Sequence, residues 1–271
     1  MSKRNNQANK AAARERLREE RERQARKERT RRQLIVAGSG VLVLAVAGGV
    51  GYGIMQANKP SHWESAADAK NITAPKNTSG ENGTTVVIGK ADAKKTLELY
   101  EDSRCPVCAV FEQEVGASVD KGVEDGSYKV AYIGATFIDD AAGGEGSKNA
   151  LSALGAALDV SPEAFTAYKT ALYSEKWHPE ENEDSFGKDS YLLEVADTVP
   201  ALKNNADFRK DVEQGTFDAW AMKMSEKFDD SGVGGTPTLM MDGKKVTAEG
   251  SDTAPMTAEQ FDAAIAKALK G

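Results

Sequence analysis

Cysteine is scarce in this chain: its 271 residues hold only two, Cys105 and Cys108, and only two histidines, His62 and His178. A zinc site needs about four ligands, so a Cys/His site here would have to recruit carboxylates or a second chain. A structural disulfide between cysteines three positions apart closes a tiny loop and removes little chain entropy, which makes it a poor staple for a domain of this size. Aromatic residues are absent from positions 1–33. That basic arm therefore has nothing to stack on bases, and nucleic acid is not an expected partner. Charge is absent from positions 34–55, where 22 residues run from Leu34 to Met55 without an Asp, Glu, Lys or Arg.

The charge that is present divides the chain. Residues 1–33 carry 13 Lys/Arg and 5 Asp/Glu, a net of +8, and the remainder carries 22 and 37, a net of −15. Within the arm, Glu15/Arg18, Glu19/Arg23 and Glu22/Arg26 stand at helical spacing and would support a solvated helix. An uncharged stretch of this length can span a bilayer as one helix. Arg29, Arg31 and Arg32 flank it on the N-terminal side and would keep that end in the cytoplasm. The competing reading is a cleaved signal peptide, with Ala45-Val46-Ala47 as a small-residue cleavage site. The long basic arm and the continuation of the apolar run past that site favour an uncleaved anchor. Gly49 and Gly53 form a GxxxG pair in a segment already rich in glycine. The expected organisation is a basic cytoplasmic segment at 1–33, a transmembrane helix at 34–55, a flexible extracytoplasmic tether at 56–82 with Trp63 at the membrane interface, and a globular domain at 83–271.

Around the two cysteines the local pattern is specific. Thr96 to Tyr100 reads as a strand, and Val107, Val110, Phe111, Val115 and Val119 recur at helical spacing, so a helix begins at Cys105-Pro106-Val107-Cys108. Pro106 suits the first helical turn, where its missing N–H costs nothing. Free N–H groups and the helix dipole at that terminus favour an anion. A thiolate is such an anion, and Arg104 adds a positive charge beside it. Cys105 is expected to be the more exposed and acidic thiol and Cys108 the buried resolver one turn on, within reach of a disulfide with it.

The rest of the domain alternates strand and helix. Thr84–Ile88 reads as a first strand and Tyr128–Ile133 as a third, parallel to the second through a crossover helix. A helical insertion follows over about 138–233. It includes Ser147–Leu158, a helix opened by Ser161-Pro162-Glu163, shorter pieces at Tyr191–Val199 and Ala206–Val212, and a stripe of Phe217, Ala221, Met224 and Phe228 read as core. His178 reads as a loop residue and Glu180–Asp184 as a solvated acidic loop. Thr238–Met241 is a strand, Asp242-Gly243 a hairpin turn into Lys245–Thr247, and Thr257-Ala258-Glu259-Gln260 a capping box for a last helix.

A strand running into Cys-Pro-Val-Cys, a helical insertion, then Gly234-Gly235-Thr236-Pro237-Thr238, a hairpin and a final helix resemble the DsbA-like thioredoxin-fold proteins. The resemblance covers roughly Val86 to the last residue and is strongest at Cys105–Cys108 and Gly234–Thr238. It implies an α/β thioredoxin-like fold with a helical insertion, and a thiol–disulfide oxidoreductase that introduces disulfides into exported proteins. It also implies a cis Thr236–Pro237 bond beside the active-site pair, and substrate contacts at Pro106, Val107, Thr236 and Pro237. No metal or organic cofactor is expected. The implied partners are exported cysteine-containing proteins and a quinone-linked membrane oxidoreductase for re-oxidation. A reductase or isomerase of the same fold, and an anchored binding module with a structural CxxC, are the alternative readings. Two positions depart from the family pattern. Leu99 stands six positions before Cys105, where related proteins often bury an acid, which leaves Glu98, Glu101 and Asp102 as carboxylates open to proton relay. The dipeptide between the cysteines is Pro-Val and lacks the histidine of strongly oxidising members.

Overall fold

The computed structural model describes residues 61–270. Its frame is a five-stranded sheet in the order β1-β3-β2-β4-β5, built from β1 (Val86–Ile88), β2 (Thr96–Asp102), β3 (Lys129–Ala135), β4 (Thr238–Met241) and β5 (Lys244–Lys245). The central strand β2 pairs in parallel with β3, from Thr96 opposite Lys129 to Asp102 opposite Ala135. On its other side it pairs antiparallel with β4, from Leu97 opposite Met241 to Tyr100 opposite Thr238. A central strand covered on both faces should be apolar throughout, and Leu97, Leu99 and Tyr100 are buried. β2 runs two residues beyond the expected Tyr100, because Glu101 and Asp102 pair with Gly134 and Ala135 and bury their side chains.

Helix α2 (Pro106–Asp125) is the crossover to β3. Gly126 ends it at φ 77°, a left-handed turn that glycine adopts without strain. Phe111 of α2 meets Phe261 of α9 (Ala258–Ala268) edge-on at 6.4 Å. Thr257 caps α9 by accepting from the Gln260 N–H, but the Gln260 side chain accepts from Met256, so the expected capping box is only half made.

The helical insertion comprises α3 (Phe137–Ala142), α4 (Gly146–Val160), α5 (Pro162–Leu172), α6 (Asp189–Ala196), α7 (Ala206–Glu213) and α8 (Asp218–Asp230). Helix α3 is too short for a periodic pattern to reveal it. Phe228 of α8 faces Tyr100 of β2 at 6.2 Å and stacks on Phe137 at 5.8 Å, joining the insertion to the sheet. Ala221, Met224 and Phe228 are buried in the core, as the stripe predicts.

Residues 61–82 differ from a flexible tether. Helix α1 (His62–Ala67) carries a complete capping box between Ser61 and Glu64, and Trp63 is 7% exposed, buried in the domain. The Asn77 amide donates to the Leu158 carbonyl at 2.7 Å, the Lys76 N–H to Asp159 at 2.9 Å, and the Trp220 indole to the Gly83 carbonyl at 2.9 Å. A polar composition suggests a linker, but here the polar groups find partners on α4 and α8. The basic arm and the 34–55 span lie outside the described residues. Among the described residues no helix is long and apolar enough to cross a membrane.

Candidate active site

The carboxyl end of β2 delivers Cys105 to the N-terminus of α2, where it is the N-cap with Pro106 as the first helical residue. The Cys105 sulfur accepts from the Cys108 N–H at 3.3 Å. Its pKa is lowered to about 6: the Cys108 thiol donates to it, and Thr236 with the N–H groups of Cys108 and Val107 add to this against the opposing effect of burial. Cys108 is 0% exposed, and burial pushes its thiol well above the ordinary range, helped by the nearby Cys105 and Glu101 charges. The two thiols are therefore split in the sense that reactivity needs, one anionic at neutral pH and one held protonated.

Thr236 and Pro237 come up beside the cysteines. Their peptide bond is cis, and the Thr236 carbonyl accepts from the Cys105 thiol at 3.5 Å. The Thr236 hydroxyl is buried with no formed hydrogen bond, yet it is close enough to both sulfurs to favour their thiolates. Here a cleft of about 610 Å³ is lined by Val107, Pro237, Leu239, Val246 and Met256 together with the polar Lys245, Asp252 and Thr253. Val107 and Val110, 50% and 47% exposed, leave an apolar rim beside Cys105. The structure thus brings together Cys105, Cys108, Val107, Thr236 and Pro237, while Pro106 is exposed on the first turn of α2.

Beneath the pair lies a buried ionic cluster. Lys169 of α5 contacts Glu112 of α2 and stands 3.4 Å from Glu101 of β2. The Thr170 hydroxyl donates to Glu112 at 2.6 Å. Burial raises the Glu101 pKa to about 7, with Lys169 opposing and the Glu112 and Cys105 charges reinforcing. One Glu101 oxygen, Oε1, has no partner. Burial works against the Lys169 ammonium, but Glu101 and Glu112 outweigh it and hold the lysine charged. Of the three carboxylates open to proton relay, Glu98 bonds the Tyr100 hydroxyl at 3.0 Å and Asp102 is fully committed to other partners. Burial also raises Asp102, to about 6, but it is Glu101, raised to about 7, whose charge couples to both cysteines.

Arg104 does not play the expected part. Its guanidinium, 2% exposed, bonds Asp139 at 2.8 Å, the Gly143 carbonyl at 2.7 Å and the Glu181 carbonyl at 2.8 Å. It is spent on the insertion, and the groups that lower the Cys105 pKa are Cys108, Thr236 and backbone N–H donors. The acidic run at 180–184 is likewise not simply solvated, because Asp184 accepts from the N–H groups of Glu145 and Gly146 and so satisfies the start of α4. His178 lies in a loop as expected, but its Nε2 meets the Ser103 carbonyl at 3.1 Å, and its ring stacks on Tyr173. Glu112, Lys169 and Tyr173 escape the sequence reading. Glu112 had a visible signal, standing one turn beyond Cys108 on α2. Lys169 and Tyr173 had none, since they reach the site from more than 60 residues away.

These elements make up a mixed α/β domain with a strand–CxxC–helix unit and an adjacent Thr-Pro loop, the arrangement of the thioredoxin class. A family model described as thioredoxin matches residues 81–267, and the chain belongs to that family. Disulfide bond formation protein D of Bacillus subtilis is 22% identical over 161 residues, which cover 59% of this chain and 68% of that protein. The serine/threonine-protein kinase PknE of Mycobacterium tuberculosis is 28% identical over 173 residues. That match covers 59% of this chain but only 29% of the kinase. Among solved structures, oxidised DsbA of Mycobacterium tuberculosis aligns at TM-score 0.54 and 23% identity, covering 68% of this chain and 99% of that one. The oxidised BdbD of Bacillus subtilis aligns at 0.56 and 22%, covering 74% and 100%. The thiol-disulfide oxidoreductase MdbA of Actinomyces oris aligns at 0.58 and 20%, covering 77% and 96%. At these identities the structural likeness establishes the fold.

Proposed function

We propose that this protein is a membrane-anchored, extracytoplasmic thiol–disulfide oxidoreductase that introduces disulfides into exported proteins through Cys105 and Cys108. The observation that carries this reading is the splitting of the two thiols, with Cys105 lowered to about 6 at the head of α2 and Cys108 raised by full burial. The relatives named for disulfide bond formation and thiol-disulfide oxidoreduction agree with it.

The oxidised pair begins the cycle. A substrate thiolate attacks the Cys105 sulfur, the Cys105–Cys108 bond breaks, and its electron pair leaves on Cys108. A thiolate buried there is costly, so it takes a proton, and Glu101 is the group beside it that exchanges one near neutral pH. A second substrate thiolate then attacks the substrate sulfur of the mixed disulfide and expels the Cys105 thiolate. In sum, two substrate thiols become one disulfide, the enzyme pair gains two electrons, one proton stays on Cys108 and one passes to solvent. The cleft beside Thr236 and Pro237 takes the substrate chain, with Val107 lining it and Pro106 exposed next to the sulfur. A quinone-linked membrane oxidoreductase re-oxidises the pair, and the 34–55 span holds both proteins in one plane. No cofactor is needed, because both electrons move through sulfur.

Equilibration with glutathione buffers tests the direction of electron flow. The expected potential is more oxidising than thioredoxin at about −270 mV and less so than the DsbA extreme of about −120 mV. A value at or below that of thioredoxin makes the protein a reductase. Protease added to wall-stripped cells tests the placement, since it should digest the CxxC domain, and protection of that domain would refute the export role.

A further inference from the structure

Each of the three residues preceding Cys105 is held by the helical insertion. The Asp102 carbonyl accepts from the Tyr173 hydroxyl at 3.1 Å, and its carboxylate from the Ser147 hydroxyl at 2.6 Å and the Ile138 N–H at 3.2 Å. The Ser103 carbonyl meets His178 at 3.1 Å. Arg104 reaches furthest, to Asp139, the Gly143 carbonyl and the Glu181 carbonyl, with Asp184 at 3.5 Å.

The two aspartates that receive Arg104 also satisfy the first N–H groups of α4. Asp139 accepts from Ser147 at 2.8 Å and Lys148 at 3.0 Å, and Asp184 from Glu145 at 3.0 Å and Gly146 at 2.9 Å. The packing there leaves no slack. A Cβ at Gly146 would lie 2.4 Å from an Asp184 oxygen and 3.0 Å from the Arg104 side chain. One buried cation thus ties a helix terminus and two loops to the backbone position immediately before the nucleophile.

We propose that Arg104 is a positioning residue: through Asp139 and Asp184 it fastens the 102–104 loop to the insertion and so sets the Cys105 sulfur against its donors at the head of α2. The proposal deepens the thiol chemistry above and rests on it. A point charge could not replace this side chain. Nη1 serves Asp139 and Gly143 while Nη2 serves Glu181, and only a planar fork holds acceptors in that spread. The bond from the Cys105 N–H to the Asp102 carbonyl, 2.9 Å long, transmits the placement.

A charge role and a positioning role give opposite signs, so titration of the Cys105 thiolate by its ultraviolet absorbance separates them. Asp139→Asn removes a negative charge, and by Coulomb's law alone the Cys105 pKa should fall. Loosening of the loop instead weakens the donors and raises it, by about one unit for one lost hydrogen bond to a charged sulfur. Positioning also predicts that Arg104→Lys raises the pKa about as much as Arg104→Met, although lysine keeps the charge. A wild-type value in Arg104→Lys, or a fall in Asp139→Asn, overturns the proposal. Should the buried variants not fold, Asp184→Asn at the more exposed end of the clasp must show a smaller rise, and no rise there overturns it equally. An ordinary thiol in the wild-type protein would overturn the oxidoreductase reading as well, whereas an acidic wild-type thiol indifferent to all these changes overturns the positioning role alone.

Discussion

Replacing Cys108 with alanine removes the largest single influence that lowers the Cys105 pKa, the hydrogen bond from its thiol. Cys105 titrates at about 6, so at pH 7 about 90% of it is thiolate, against about 3% for an ordinary thiol. A hydrogen bond to a charged group contributes about 1.5–3 kcal/mol, which corresponds to about 1–2 pKa units. In Cys108→Ala the midpoint should therefore move from about 6 to about 7–8, and the rate of alkylation by iodoacetamide at pH 7 should fall by roughly 2- to 10-fold. The backbone N–H donors and Thr236 remain, so the thiol should stay more acidic than a free cysteine. Stability carries the same signature. A depressed folded-state pKa gives the reduced protein extra stability that is complete above about 8.5 and is lost as pH falls through about 6. In the variant that loss should begin at the same pH, but it should be smaller and complete by about 7–8. An alkylation midpoint unchanged near 6 in Cys108→Ala would refute the reasoning and assign the acidity to the helix terminus alone.

Glu101→Gln should abolish a titration near pH 7 in the pH profile of disulfide exchange, followed by stopped-flow fluorescence, while Cys105 continues to titrate at or slightly below its wild-type value. Lys169→Met should leave two buried carboxylates without their cation and destabilise the fold by about 3–5 kcal/mol in urea at pH 8. The loss should be smaller at pH 5, where Glu101 is neutral, and an equal loss at both would deny the electrostatic account. Trp63→Ala should cost about 3 kcal/mol in the same assay. No change in the urea midpoint would mean that α1 is not part of the folding unit.

Periodicity made the frame legible. Leu97, Leu99 and Val130 announce central strands, and Val107 to Val119 announce α2, because local side-chain spacing is enough to fix elements of that kind. The Cys105–Cys108 spacing and the Thr236-Pro237 pair point to the site for the same reason, since each is a short motif complete in itself. What stayed hidden depends on contacts between distant residues. Glu101 reads in the sequence as one carboxylate among three, and only the arrival of Lys169 and Glu112 distinguishes it. Arg104 reads as a charge next to the nucleophile, yet a side chain of that length can turn either way, and three acceptors on the insertion decide which. Residues 61–82 look like a linker because polar composition does not reveal whether the polar groups have partners.

Cys105, Cys108 and Glu101 are all nearly buried, yet burial alone would push all three pKa values up. The difference between them is the supply of donors. Cys105 sits at a helix terminus, receives N–H groups and a neighbouring thiol, and becomes an anion in spite of burial. Cys108, one turn inside the same helix, has its own N–H directed at Cys105 and meets negative charge from Cys105 and Glu101, so it keeps its proton. Glu101 has a single cation shared with a second carboxylate and one oxygen without a partner, which leaves it balanced near neutrality. The three values form an ordered set, and in the proposed reaction the sulfur that takes the incoming thiol is lowest, the proton carrier lies in between and the leaving sulfur is highest. The donors to Cys105 come from the first turn of α2 and from the loop before β4. The intermediate value depends on Lys169, and therefore on the insertion. In the proposed reaction the insertion thus has a chemical part in the site, holding the proton carrier in range with Lys169 while its acceptors for Arg104 anchor the loop that presents Cys105.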